Sequence, residues 1–188
     1  MKKFSAKEIL IPTVSLFIIC SIVTLLLAVT NSVTAPKIAE LQIETENKTK
    51  AAVLSEAASF SESKTVAYNG SEYTYYEGYD NDKNIVGYVF TTSAKGYGGD
   101  IITMVGVKAD GTVAGMDFLS ISETAGLGMN ADTDDFKNQF VGKSGEISVN
   151  KNTSSDTEIQ ALTGATITSK AVTEAVNTAL ALYEEVNG

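Results

Sequence analysis

Hydrophobic and polar positions divide this chain into three parts. From Ile9 to Val29 it is almost wholly apolar, with Pro12 near the start, and no charged side chain appears between Ile9 and Lys37. As a helix this run would rise about 31 Å, enough to cross a bilayer core of about 30 Å. Lys2, Lys3 and Lys7 precede it and several acids follow, a bias that keeps the N-terminus inside. The apolar core is longer than that of a cleaved signal peptide, and the best cleavage site, Val33-Thr34-Ala35, is followed by Pro36. Ile19 stands before Cys20 where a lipoprotein signal would want a small residue. The reading is an uncleaved single span: residues 1–8 cytoplasmic, 9–31 across the membrane, Cys20 a small apolar residue within it.

Thr34-Ala35-Pro36 then reads as a helix start, with a Thr cap candidate and Pro in the first turn. The stretch to about Phe60 is rich in Ala, Glu, Lys and Gln and lacks further Pro or Gly, so 32–62 is expected to be a juxtamembrane helix or linker that leaves the membrane and then packs on the domain, its apolar content modest until Ala51-Ala52-Val53-Leu54. A flexible stalk is the competing reading of so polar a run.

Beyond residue 63 the period changes to that of strands. Tyr73–Tyr79, Ile85–Thr92, Ile101–Lys108 and Val113–Ile121 are β-branched or aromatic, separated by Asp80-Asn81-Asp82, Gly96-Tyr97-Gly98-Gly99 and Asp110-Gly111. They predict an antiparallel meander. Asp132–Phe140 reads as a short helix with Phe136 and Phe140 at i, i+4. Asn150–Glu158 is polar and strand-poor. A last helix is expected from about Thr168 to Val186, with Val172, Ala175, Val176, Ala179, Leu180 and Tyr183 on one apolar face. The fold class is α+β: an N-terminal transmembrane helix, then an extracytoplasmic domain over 63–188 whose antiparallel sheet is packed by helices.

Composition narrows the chemistry. The chain has 188 residues and a formal net charge of −9, with 14 basic residues that are all Lys. An acidic chain without Arg is a poor nucleic-acid binder. It has no His, hence no His metal site or ordinary His general base. Its single Cys excludes an intrachain disulfide and a Cys cluster for zinc or iron–sulfur. Redox chemistry would need a borrowed organic cofactor.

The most informative stretch is Leu162-Thr163-Gly164-Ala165-Thr166-Ile167-Thr168-Ser169, a small turn that opens the last helix. The first N–H groups of a helix lack intrahelical partners and carry the positive end of the macrodipole, which suits a phosphate. Gly164 and Ala165 leave room for a bulky phosphorylated group, and Thr166 and Thr168 offer hydroxyls beside it. The plainer reading is a helix cap, with Thr163 accepting a hydrogen bond from an N–H two or three residues on. A second loop, Glu123-Thr124-Ala125-Gly126-Leu127-Gly128, has two glycines that permit close approach of backbone to a ligand, or simply connect a strand to a helix.

Thr163-Gly164-Ala165-Thr166 followed by Ile-Thr-Ser resembles the [Ser/Thr]-Gly-Ala-Thr motif of FMN-binding domains, found in the G subunit of the Rnf electron-transport complex and the C subunit of the sodium-pumping NADH:quinone reductase. In that family the last Thr is joined to FMN by a phosphoester made by a dedicated flavin transferase, which implies Thr166 as the acceptor here. Gln160 stands where many members have Asp. Glu123–Gly128 resembles the family's Glu-Thr-Pro-Gly-Leu-Gly, with Ala125 for Pro, and Gly96–Gly99 before an Ile/Met/Val-rich strand is also family-like. These segments cover about Tyr88 to the C-terminus.

The resemblance implies covalent FMN held near Thr163, Gly164, Ala165, Thr166 and Thr168, with Glu123, Thr124, Gly126, Leu127 and Gly128 beside the ring or ribityl chain. Tyr97 is a looser candidate, since a Tyr in a sheet more often packs. No residue is assigned a catalytic role, because electron transfer needs a positioned cofactor rather than an acid or base. The implied function is an electron relay on the outer side of the membrane. It would work in a ferredoxin:NAD oxidoreductase that pumps Na+ or H+, with the other subunits, the flavin transferase and the lipid bilayer as partners. Such a protein is not expected to catalyse alone. No strand–Gly-x-Gly-x-x-Gly–helix unit is present, so no NAD site is expected in the ectodomain. The competing functions are the C-type subunit, which is usually longer, and a cofactor-free membrane-anchored binding protein.

Overall fold

The computed structural model describes residues 6–188. Lys2 and Lys3, part of the predicted cytoplasmic end, lie outside the described residues. The chain divides into two compact units, one ending at Glu44 and the other spanning Thr45–Gly188.

The described residues of the first unit are all helical. Helix α1 runs from Ala6 to Val53. Its apolar side chains from Ile9 to Val29 are exposed all round, and the helix is long and apolar enough to cross a membrane. The few hydroxyls in the apolar run turn back on the helix: Thr13, Ser21 and Thr30 donate to the carbonyls of Ile9, Phe17 and Leu26 at 2.8, 2.8 and 2.9 Å. That satisfies them without water, as a hydrocarbon environment requires. The helix start expected at Thr34-Ala35-Pro36 is absent. Thr34 donates to Thr30 O at 3.0 Å instead of capping, and Pro36 lies inside α1. Its ring already fixes a helical φ, so the loss is a missing N–H donor rather than a break. The same helix ends at Val53, short of Phe60.

The second unit is built on a six-stranded sheet: β1 (Ser59–Phe60), β2 (Lys64–Tyr68), β3 (Ser71–Tyr79), β4 (Ile85–Lys95), β5 (Asp100–Lys108) and β6 (Val113–Ser120). The order is β1-β3-β4-β5-β6, all antiparallel, and β2 shares the β3 edge with β1. After β6 come a 3-10 turn (Gly128–Asp132), α2 (Asp134–Lys137), the short parallel pair β7 (Ser148–Asn150) and β8 (Glu158–Gln160), and α3 (Thr166–Asn187). The helix expected over Asp132–Phe140 is thus a 3-10 turn followed by one α-helical turn. Phe136 and Phe140 still meet edge-to-face at 5.7 Å, both buried.

Strand alternation gives the sheet two apolar faces. On one, Tyr88, Phe90, Ile101, Val105 and Val107 pack against α3, whose predicted face of Val172, Ala175, Val176, Ala179, Leu180 and Tyr183 is entirely buried. On the other, Tyr76, Val89 and Met104 receive Val53 and Leu54 from the end of α1. Glycines make that approach possible. Gly78 pairs with Gly87 and Gly106 with Gly115, giving a bare strip across four strands. A Cβ on Gly106 would come within 2.2 Å of Val53 O, and one on Gly78 within 2.6 Å of a Leu54 methyl. The last turn is also fastened by Tyr76, whose hydroxyl donates to Glu46 at 2.6 Å while Lys50 Nζ sits 3.9 Å from its ring centre. Burial, with the Glu46 carboxylate second, pushes the Tyr76 hydroxyl pKa up.

Candidate functional site

The start of α3, the loop after β6 and the loop between β4 and β5 meet at one end of the sheet. Their meeting point is a cavity of about 540 Å³ lined by Tyr97, Glu123, Thr124, Leu127, Gly128 and residues Gly164 to Thr168. Glu123 holds the three together. Gly98 N–H donates to its Oε1 at 3.0 Å, and the buried Thr168 hydroxyl donates to its Oε2 at 2.9 Å. Gly128 passes close beneath this carboxylate: a Cβ there would lie 2.7 Å from both Glu123 Oε2 and Thr168 Oγ1. Gly164 turns at φ +77°, a conformation that favours glycine.

Helix α3 begins at Thr166, two residues earlier than expected, with Ala165 in the cap position and no side chain capping it. The cap expected from Thr163 is therefore not made. The turn is secured from within the helix: Ser169 Oγ accepts from Leu162 N–H at 2.9 Å and donates to Ala165 O at 3.0 Å. The first intrahelical bond is Ser169 N–H to Ala165 O, so the preceding N–H groups of the first turn remain free for a ligand. Thr166, half-buried, stands in that turn.

Of the sequence-derived candidates, Glu123, Thr124, Leu127, Gly128, Gly164, Ala165, Thr166 and Thr168 all line the cavity. Thr163 does not; it borders a second, smaller cavity that shares Gly164 and Thr166 with the first. Gly126 borders neither, but its φ of +75° makes the bend that brings Leu127 in, and its carbonyl accepts from Asn130 Nδ2 at 3.2 Å. Tyr97 lines the cavity and is 72 % exposed. Ile167 escapes the reading from sequence, yet it lines the cavity and is 55 % exposed, beside Leu127 at 44 %. Its position outside the α3 core face is the signal that could have found it.

The site's composition suits a phosphorylated aromatic ligand. Tyr97, Leu127 and Ile167 supply apolar surface, the uncapped helix start supplies N–H donors, and Gly128 and Gly164 keep side chains out of the way. A larger cavity of about 870 Å³ lies along α3, but Asp110, Glu146, Glu174 and Glu184 border it against a single cation, Lys170. Four carboxylates repel a phosphate, so size does not decide between the two.

The FMN-binding domain family matches residues 96–181, which include every residue of this site. The chain is 38 % identical to the G subunit of the proton-translocating ferredoxin:NAD(+) oxidoreductase complex of Clostridium ljungdahlii, over 89 % of this chain and 88 % of that one. It is 37 % identical to the G subunit of the Na(+)-translocating complex of Acetobacterium woodii, over 92 % and 90 %. The chain belongs to the G-subunit family of ion-translocating ferredoxin:NAD(+) oxidoreductase complexes. A G-subunit homologue of Methanosarcina acetivorans matches as fully, at 33 % over 93 % of this chain and 94 % of the relative. Among solved structures, the C subunit of the Na(+)-translocating NADH-quinone reductase of Parabacteroides distasonis superposes with a TM-score of 0.50 at 27 % identity, over 58 % of this chain and 59 % of that one. Shewanella oneidensis NqrC shares the fold at 18 % identity and a TM-score of 0.52, over 68 % and 67 %. G-type and C-type proteins thus share this domain, and the G-type relatives match the chain nearly end to end.

Proposed function

We propose that this G-type protein carries FMN through a phosphoester on Thr166 and relays electrons on the outer side of the membrane, in a complex that oxidises ferredoxin with NAD as acceptor. The observation that carries this reading is the position of Thr166: a half-buried hydroxyl in the uncapped first turn of α3, on the wall of a cavity with apolar and backbone-donor surfaces. When bound, FMN supplies electron exchange that no side chain here can.

The chain's own residues do the positioning. The uncapped N–H groups of the α3 first turn would hold the phosphate. Glu123, fixed by Gly98 and Thr168, keeps the two loops at a set spacing from the helix. Tyr97, Leu127 and Ile167 offer contact surface to a flat ring. Helix α1 anchors the protein in the bilayer, the Lys-rich end cytoplasmic. The partners are the other subunits of the complex and, during maturation, a flavin transferase. Matching relatives come from both a proton-translocating and a Na(+)-translocating complex, so the complex in this reading pumps either H+ or Na+.

In-gel ultraviolet fluorescence after denaturation tests the reading, on protein coexpressed with a flavin transferase. Thr166→Ala is expected to abolish the covalent label while the protein stays folded, and Thr168→Ala to keep some label. Label that persists in Thr166→Ala and disappears with Thr168→Ala would reassign the attachment point.

A further inference from the structure

Thr166 and Gly164 border two cavities at once. The larger, described above, has one charged side chain, Glu123, and both of its oxygens already accept hydrogen bonds. The smaller, of about 260 Å³, is walled by Lys151, Ala161, Leu162, Thr163, Gly164 and Thr166. Its one charged side chain, Lys151, has the opposite sign. The chain has neither Arg nor His, so a side-chain cation at this site must be a lysine. Among the described residues Lys151 makes no ion pair.

The backbone fixes where Lys151 emerges. It directly follows Asn150, the last residue of β7, whose carbonyl accepts Ala161 N–H at 2.7 Å. Asn150 Oδ1 also accepts Asn152 N–H at 3.1 Å, and its Nδ2 donates to Glu158 at 3.1 Å. Lys143 donates to Ser155 O from the other side of the loop. Pairing of β7 with β8 therefore brings Lys151 beside the attachment turn although 15 residues separate it from Thr166 in sequence.

We infer that Lys151 is the positioning cation for the phosphate: it draws the charged end of the cofactor toward the smaller cavity and leaves the ring to the larger one, against Tyr97, Leu127 and Ile167. This rests on the reading of Thr166 as the attachment point. The division of charge is the argument. A phosphodiester keeps one negative charge, and of the two cavities that Thr166 borders, the larger is lined by a carboxylate and the smaller by a lysine.

The test uses the full-length chain coexpressed with a flavin transferase, as wild type, Lys151→Gln, Lys151→Arg and the control Lys170→Gln, whose lysine borders the 870 Å³ cavity instead. Phosphorus NMR reads the phosphodiester and visible absorption reads the ring. In Lys151→Gln the phosphorus resonance is expected to shift, in Lys151→Arg to return toward wild type, and in Lys170→Gln to stay put, with the flavin absorption band unchanged in all four. A loaded Lys151→Gln protein with an unshifted phosphorus line would overturn the assignment, as would a displaced absorption band, which would put Lys151 at the ring. If Lys151→Gln takes no label, Lys151→Arg decides: label restored by Arg supports a required cation, and label still missing rejects it. Wild-type protein without flavin would instead sink the Thr166 reading itself.

Discussion

Thr166, Glu123 and Gly128 show how far single residues can be read from sequence. Thr166 is singled out through the Thr-Gly-Ala-Thr resemblance, whereas the turn and the periodic helix by themselves fit a plain cap as well. The role of Thr163 is not legible: a cap forms only if its side chain turns toward the helix, and here Ser169 holds the turn from inside. The place of Lys151 beside Gly164 and Thr166 is invisible in sequence because it depends on a parallel strand pair of three residues each, below the length at which periodicity speaks. Gly128 offers the sharpest residue-level test. A methyl at Gly128 must displace Glu123 or Thr168, so Gly128→Ala is expected to cost about 1–3 kcal/mol of stability. It should also lower flavin loading, read by melting temperature and intact mass. Unchanged values for both would show that the Glu123–Thr168 contact is not needed.

Among the elements, the central strands follow from β-branched and aromatic runs between turn signals, and α3 from its period, because one face of it is packed in the core. The edge of the sheet does not. β1 is two residues long, and β2 alternates weakly between exposed and half-buried. The hairpin joining β2 to β3 does carry a signal in Asn69-Gly70, both at positive φ, the pairing that two-residue hairpins favour. On this edge Lys64 Nζ meets Glu77 Oε1 at 2.6 Å and Tyr79 donates its hydroxyl to the same carboxylate. The Lys64 hydrogen bond, then that of Tyr79, lowers the Glu77 pKa below its ordinary 4.5. A lowered folded-state pKa stabilises the fold above the unfolded value and loses that contribution as pH falls through the folded one. Stability of Glu77→Gln is therefore expected to fall less steeply than wild type below about pH 4.5, measured by urea unfolding across that range. Parallel curves would show that the pair contributes nothing to folding.

At the scale of the whole molecule, the sequence marks a membrane segment, a domain and a helix that packs on it, but not the glycine bed that receives the helix end. The helix start expected at Pro36 is continuous helix, and the packing expected of the segment to Phe60 is made by Val53 and Leu54, which cover one face of the sheet. Four glycines on four strands are individually unremarkable, and only the register lines them up as a bed for that chain segment. A fragment beginning at Thr45 is therefore expected to fold with a single cooperative transition. One beginning at Ser63 loses the buried Leu54 and is expected to be destabilised by at least the cost of a core Leu→Ala change, about 2–5 kcal/mol. Equal melting of the two fragments would show the outer cluster to be dispensable.

The central claim is that one hydroxyl at the start of α3 holds the cofactor. The most direct test is the intact mass of the protein purified from its native membranes, followed by fragmentation of the peptide around Leu162–Ser169. The expected result is a chain heavier by one FMN less the water lost on ester formation, with the added mass on Thr166. A chain of unmodified mass, or one whose added mass sits on another residue, would contradict it.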